Sequence, residues 1–141
     1  MPKIAYPLSN KELRGCDDFG CGHFGASRGS RTHKGLDLVS TPGAYAFSPI
    51  DGVITKHGYP YAKHLEYRYI EITNDEFRVR LFYCELREDL FEVGDEVCQG
   101  DGIGICQDIA KLYDTDDKRM KNHLHLEIYQ DKELLDPANY V

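Results

Sequence analysis

Glycine and proline punctuate this 141-residue chain at short intervals, and no stretch of ten or more residues carries a clear helical period. That pattern leaves room for short strands and turns and little else, so the chain is predicted to be all-β. Strands are expected at residues 36–39, 44–47, 52–57, 67–73, 77–84, 102–106 and 124–129. Thr41-Pro42-Gly43, Asn74-Asp75 and Gly94-Asp95 have the residue types that turn geometry requires, and Asn74-Asp75-Glu76 is expected to close a hairpin. Residues 108–113 (DIAKLY) can hold one helical turn, and the polar run DTDDKRMKN after it reads as a loop that either shapes a groove or simply connects.

The last expected strand carries the first chemical signal. In HLHLEIYQ, residues 123–130, side chains alternate faces, so His123, His125 and Glu127 point one way and Leu124, Leu126 and Ile128 the other. The apolar set is the core face. Paired strand histidines also occur as ordinary surface residues, but two imidazoles aimed at one target suit a metal or a proton transfer. A second stretch, GSRTHKGLDL at residues 29–38, sets His33 and Asp37 four apart with Gly35 between them. Two imidazoles and a carboxylate are a three-ligand catalytic zinc set that keeps its fourth position open. If His33, Asp37 and one histidine of HLH form it, the other histidine is left as a general base. The chemistry is then metal-assisted amide hydrolysis. A closed structural zinc site is the competing assignment, with Cys84 as fourth ligand if it faces inward. Sugar phosphotransfer between two histidines is a third, against which Asp37 argues because it would repel phosphate.

The totals narrow the field. One domain, residues 1–141 with 1–18 as an N-terminal extension, fits the length and can bury a core unaided. Net charge is −7, and no basic run stands clear of the acidic residues, so no nucleic-acid partner is expected. No apolar run reaches membrane-spanning length and the first residues lack a signal-peptide pattern, so membrane insertion is not expected and no export address is visible. Of five cysteines, an odd number, at least one stays unpaired within a monomer; Gly20 allows a turn tight enough for Cys16 and Cys21 to close a small disulfide loop.

Joined, these motifs carry a family resemblance. The run FGASRGSRTHKGLDLVSTPGAYAFSPIDGVI resembles the front half of the lysostaphin-type (LytM-like) zinc endopeptidases, whose pattern is FGxR…HxGxDL…G…A…DGxV. EVGDEVCQGDGIGI resembles their VKxGDxVxxGQxIG and HLHLEI their HLHFEI, with Asp136-Pro137 near the end. The resemblance covers the chain from about Phe19 onward. It implies a twisted antiparallel barrel-sandwich of the duplicated-hybrid-motif type with a groove across the sheet. It also implies one zinc ion per chain on His33, Asp37 and His125, His123 as the proton-transfer residue, and peptide crosslinks of bacterial peptidoglycan as substrate. A monomer acting at the cell wall, in the periplasm or outside the cell is expected, reached by phage delivery or a non-classical route.

The sequence departs from the family at one place. Where members carry an assisting histidine in a YxHL-like motif, it reads Tyr83-Cys84-Glu85-Leu86, which puts Glu85 at that position. An ionised carboxylate cannot donate to an oxyanion, so a weakened enzyme is expected unless Glu85 is protonated, Tyr83 or Arg87 supplies the donor, or another residue fills the role. His23, His57 and His64 are spare histidines, read as solvated or hydrogen-bonded loop residues. CDDFGCGHFGASRGSRTHKGLD also resembles the leukocyte cell-derived chemotaxin group, a secreted zinc-binding branch that keeps both metal motifs, lacks the assisting histidine and is regarded as non-peptidase. That resemblance implies a Cys16–Cys21 disulfide and supports an alternative, an inactive zinc-binding module for cell-wall peptide or a protein partner.

Overall fold

The computed structural model describes residues 3–141. Two short antiparallel pairs come first, β1 (Cys16–Asp17) with β2 (Gly20–Cys21) and β3 (Ser27–Arg28) with β4 (Arg31–Thr32). Then follow β5 (Leu36–Val39), β6 (Tyr45–Phe47), β7 (Gly52–Gly58), β8 (Tyr69–Thr73), β9 (Arg78–Phe82) and β10 (Cys84–Leu86). The chain ends with β11 (Glu96–Val97), β12 (Gly102–Cys106), the one-turn helix α1 (Ala110–Tyr113), β13 (His123–Gln130), β14 (Glu133–Leu135) and a 3-10 turn at Pro137–Asn139. The main sheet runs β11-β7-β8-β9-β13-β14, with β5 also paired to β13, and β10-β12-β6 form a smaller sheet. All pairings are antiparallel, which agrees with the expected all-β architecture of twisted antiparallel sheets.

β13 organises both faces. Its apolar residues Leu124, Leu126 and Ile128 are fully buried and share a core cluster with Ile70, Ile72, Val79 and Leu81 from β8 and β9. The opposite face carries His123, His125 and Glu127, also buried, so this strand is covered on both sides. At the β8–β9 turn the Asn74 side-chain oxygen accepts the backbone N–H groups of Glu76 at 2.9 Å and Phe77 at 2.7 Å, closing the expected hairpin.

The predicted strand at 77–84 breaks in two. Tyr83 adopts φ +63°, a left-handed conformation rare for a residue with a Cβ, and the chain passes there from β9 in the main sheet to β10 in the smaller one. The strand predicted at 67–73 starts only at Tyr69, and the last strand extends one residue beyond its expected bounds at each end. The pairs β1–β2 and β3–β4 and the strands β11 and β14 were not expected, since two or three residues are too few to show a period.

Residues 3–18 are stitched onto the sheets. The backbone N–H of Ala5 donates to Pro49, that of Phe47 to Pro7 and that of Val39 to Glu12, each at 2.8 Å, and Leu13 bridges Leu38. Ile4 belongs to the buried core.

Because Leu126 is fully buried at the centre of the cluster, Leu126→Ala is expected to cost about 2–5 kcal/mol of folding free energy. Urea unfolding of the variant beside the parent measures it.

Candidate metal centre and groove

The pairing of β5 with β13 assembles the centre. It sets Asp37 directly opposite His125, and Leu36 opposite Leu126. His33 enters from the four residues before Asp37, and Gly35 lets that loop lie on β13. A Cβ at 35 would run into the Leu126 carbonyl and come within 2.8 Å of His125 Nε2. Among the described residues, His33, Asp37 and His125 form the one group of three potential ligands whose donor atoms all lie within 4.8 Å of one another. His33 Nε2 stands 2.9 Å from His125 Nδ1 and 3.1 Å from Asp37 Oδ1, and His125 Nδ1 is 2.9 Å from Asp37 Oδ1.

The opposite end of each of these groups is held by the protein. His33 Nδ1 donates to the His23 carbonyl at 2.9 Å, which leaves Nε2 with its lone pair. His125 Nε2 donates to Glu127 Oε2 at 2.8 Å, and Glu127 Oε1 accepts the Tyr129 hydroxyl at 2.7 Å. Asp37 Oδ2 accepts Arg14 Nη1 at 2.8 Å. Backing of this kind orients ligands and sets their tautomers, so the residues fit a bound metal by the chemistry of the donor set and by the support behind it. Burial alone would raise the Asp37 carboxyl, but the imidazoles packed around it, His125 first and then His33 and His123, outweigh it and hold the group well below the usual carboxylate range. Burial would likewise lower His125, but hydrogen bonds to Asp37 and Glu127 push it up to about 9.

His123 sits beside the three. Its Nδ1 donates to the Lys121 carbonyl at 2.9 Å, and Nε2 lies 3.6 Å from Asp37 Oδ2. Burial lowers its pKa, so at neutral pH it is an uncharged imidazole with a free Nε2 lone pair. The groove in front of these residues encloses about 410 Å³. Tyr61, Tyr83 and Tyr113 line one part of it, and Arg28, Arg31 and Lys34 stand at its rim. The polar loop after α1 lends the groove Met120 and positions His123 through the Lys121 carbonyl.

Other candidates lie elsewhere. Glu85 is exposed and faces a second cleft with Tyr45, Arg87 and Glu88, whose lining includes none of His33, His123 and His125. Arg87 lies there too, donating to the Gly102 carbonyl at 2.8 Å with its guanidinium over the Tyr45 ring. Cys84 is fully buried in the core opposite Cys106 and is not a fourth ligand to the centre. His57 accepts the Leu86 N–H at 3.1 Å, His64 lies 3.6 Å from Glu66, and His23 contributes only its backbone carbonyl. Cys16 and Cys21 form a disulfide across β1 and β2. Sequence reasoning missed Arg14, Tyr61 and Tyr113, which lie far from both motifs. Glu127 alone had a visible signal, as the third groove-side residue of HLHLE.

Arg14 is 3% exposed and pairs with two carboxylates, Asp37 and Asp17, at 2.8 Å each. Burial pushes Asp17 up, but Arg14 and the backbone N–H groups of Lys121 and Phe19 outweigh it and hold the carboxyl at about 2. An acid whose folded pKa is depressed stabilises the fold above its unfolded pKa, about 3.9, and loses that contribution as the pH falls through its folded value. Between pH 5 and pH 2 the parent is therefore expected to lose about 2 kcal/mol more than Asp17→Asn, read by urea unfolding at each pH.

Comparison with known proteins gives the fold and the family. The chain is 26% identical over 134 residues to bovine (Bos taurus) leukocyte cell-derived chemotaxin-2, covering 94% of this chain and 82% of the relative. It superposes on the antimicrobial peptidase lysostaphin from Staphylococcus simulans with TM-score 0.69 at 18% identity, over 99% of this chain and 54% of that one. A zinc-containing peptidase from Vibrio cholerae gives TM-score 0.64 at 20% identity, over 96% of this chain and 39% of that one. The chain thus spans about two fifths to a half of the length of these two solved structures and nearly all of it shares their fold. Residues 31–137, which hold His33, Asp37, His123 and His125, match the description of Peptidase family M23, and the chain belongs to that family.

Proposed function

We propose that this protein is a zinc-dependent endopeptidase that hydrolyses peptide crosslinks of bacterial peptidoglycan, with one zinc ion on His33, Asp37 and His125. The observation that carries the reading is the convergence of His33 Nε2, Asp37 Oδ1 and His125 Nδ1, with His123 beside them and the groove in front. Family membership and the lysostaphin-like fold support it. Zinc in such a site supplies Lewis acidity and lowers the pKa of a water molecule towards 7.

The chain's own residues do the rest. His123, uncharged and with Nδ1 committed to the Lys121 carbonyl, takes the proton of the attacking water on Nε2 and returns it to the leaving amine nitrogen. Asp37, its far oxygen paired with Arg14, stays ionised and faces His125 Nδ1 at 2.9 Å through its other oxygen. The groove positions the peptide against this face. The domain reading is one unit over residues 1–141, supported by the hydrogen bonds that tie Ala5, Pro7 and Glu12 into the body of the fold. We place its action at the cell wall, in the periplasm or outside the cell, as a monomer with no nucleic-acid partner. Among the described residues no helix is long and apolar enough to cross a membrane.

A second reading is a zinc-binding module without peptidase activity. The long match to a protein named as a chemotaxin favours it, as does Glu85 at the sequence position of the family's assisting histidine.

Release of new amino groups from purified peptidoglycan separates the two. The zinc-loaded protein is expected to bind one zinc per chain and release amines, and chelation is expected to abolish release. His123→Ala is expected to lower the rate about 10²–10⁴-fold while retaining zinc. Zinc bound one to one with no amine release selects the inactive module.

A further inference from the structure

The groove contains a side-chain cluster that neither the metal ligands nor His123 account for. Tyr61, on the connection between β7 and β8, lies at the centre of three hydroxyls, 2.9 Å from that of Tyr83 and 2.8 Å from that of Tyr113. Three hydroxyls carry three protons, and these two hydrogen bonds use two of them. One O–H therefore remains uncommitted in the groove wall. The order Tyr113 to Tyr61 to Tyr83 leaves it on Tyr83, and each accepted hydrogen bond makes the next hydroxyl a stronger donor.

The backbone is bent to deliver Tyr83 to this place. Along β9, Val79 and Leu81 face the core, while Phe82 lies on the opposite face with its ring 5.1 Å from that of His125. Regular alternation would turn Tyr83 into the core. The left-handed turn at Tyr83 instead sends Cys84 into the core and leaves Tyr83 on the groove side, its ring edge-on to His123 at 5.5 Å. A non-glycine residue in this conformation is strained and persists only when its surroundings hold it. Here the N–H groups of Tyr83 and Cys84 both donate to the Arg68 carbonyl, at 2.9 and 3.1 Å, and the Tyr83 carbonyl accepts Gln107 N–H at 3.0 Å. Burial raises the Tyr83 hydroxyl to about 12, so it is a neutral donor at physiological pH.

We infer that the Tyr83 hydroxyl, backed by Tyr61 and Tyr113, is a catalytic hydrogen-bond donor to the oxyanion that develops on the attacked carbonyl. The inference rests on the hydrolase reading and adds to it the group that meets the negative charge. A charge appearing beside Tyr83 selects the proton order that leaves the free O–H there, so the trio responds without moving a heavy atom.

Tyr83→Phe removes the hydroxyl and keeps the ring. Zinc stoichiometry is expected to stay at the parent value while kcat for amine release falls about 10²–10³-fold with KM little changed. An independent reading uses tetra-alanine whose central amide is replaced by a tetrahedral phosphinate. The zinc-loaded variant is expected to bind it about tenfold or more weakly than the parent, while binding of unmodified tetra-alanine is unchanged. Tyr61→Phe, which breaks the chain one step back, is expected to give a smaller loss in the same direction. Amine release and phosphinate affinity both unaltered by Tyr83→Phe would overturn the inference and leave the hydrolase reading standing. Phosphinate discrimination that depends on Tyr83 in a parent that releases no amines would keep the donor and remove the hydrolase reading.

Discussion

The antiparallel pairing of β5 with β13 is the constraint on which the rest of the molecule depends. It sets Asp37 opposite His125 and, through Gly35, brings the loop carrying His33 against the same strand. A slip of one residue would exchange the histidine face of β13 for the leucine face. The core residues Leu124, Leu126 and Ile128 resist that slip, because it would expose three fully buried side chains. The hydrophobic effect thus enforces the register that aligns the candidate ligands, and the fold and the centre are specified by one pairing.

Burying so many ionisable groups demands compensation. Asp37, His33, His123, His125 and Glu127 are all buried, and an unpaired charge among them would be strongly destabilising. Arg14 supplies much of the balance, since its guanidinium joins Asp37 of β5 to Asp17 of β1. Asp17 also accepts the N–H of Lys121 at 2.9 Å, and the Lys121 carbonyl accepts the Nδ1 proton of His123. The disulfide-closed pair β1–β2 is therefore continuous with the loop that orients the candidate proton-transfer residue. In a chain of net charge −7, the groove rim nevertheless carries Arg28, Arg31 and Lys34, so the local field there runs against the overall charge.

Glu85 and Tyr83 show how a motif position and a place in space separate. By the motif resemblance, counting along the chain sets Glu85 at the position expected for an assisting histidine. The left-handed turn two residues earlier resets the alternation, so Cys84 and Leu86 face the core, Glu85 faces outward and Tyr83 takes the groove. The difference lies in one backbone dihedral.

Much of this protein was legible without coordinates. Period-two alternation in HLHLEIYQ exposes a core face and a polar face, and turn residues mark most strand ends, because both are local consequences of side-chain direction and backbone sterics. His33, Asp37 and the histidine pair of HLH stand in two compact motifs for the same reason: residues sharing a loop or a strand face declare themselves by spacing. The choice of His125 over His123 as ligand is what the family resemblance implies. What the sequence could not disclose were interactions between distant segments. Arg14 meets Asp37 across 23 positions, and Tyr61 meets Tyr113 across 52. Those contacts, the two-residue strands and the reversal at Tyr83 depend on how sheets close over one another. Tertiary packing alone decided them, since long-range contacts leave no period in the chain and a single strained dihedral is stable only when its neighbours hold it.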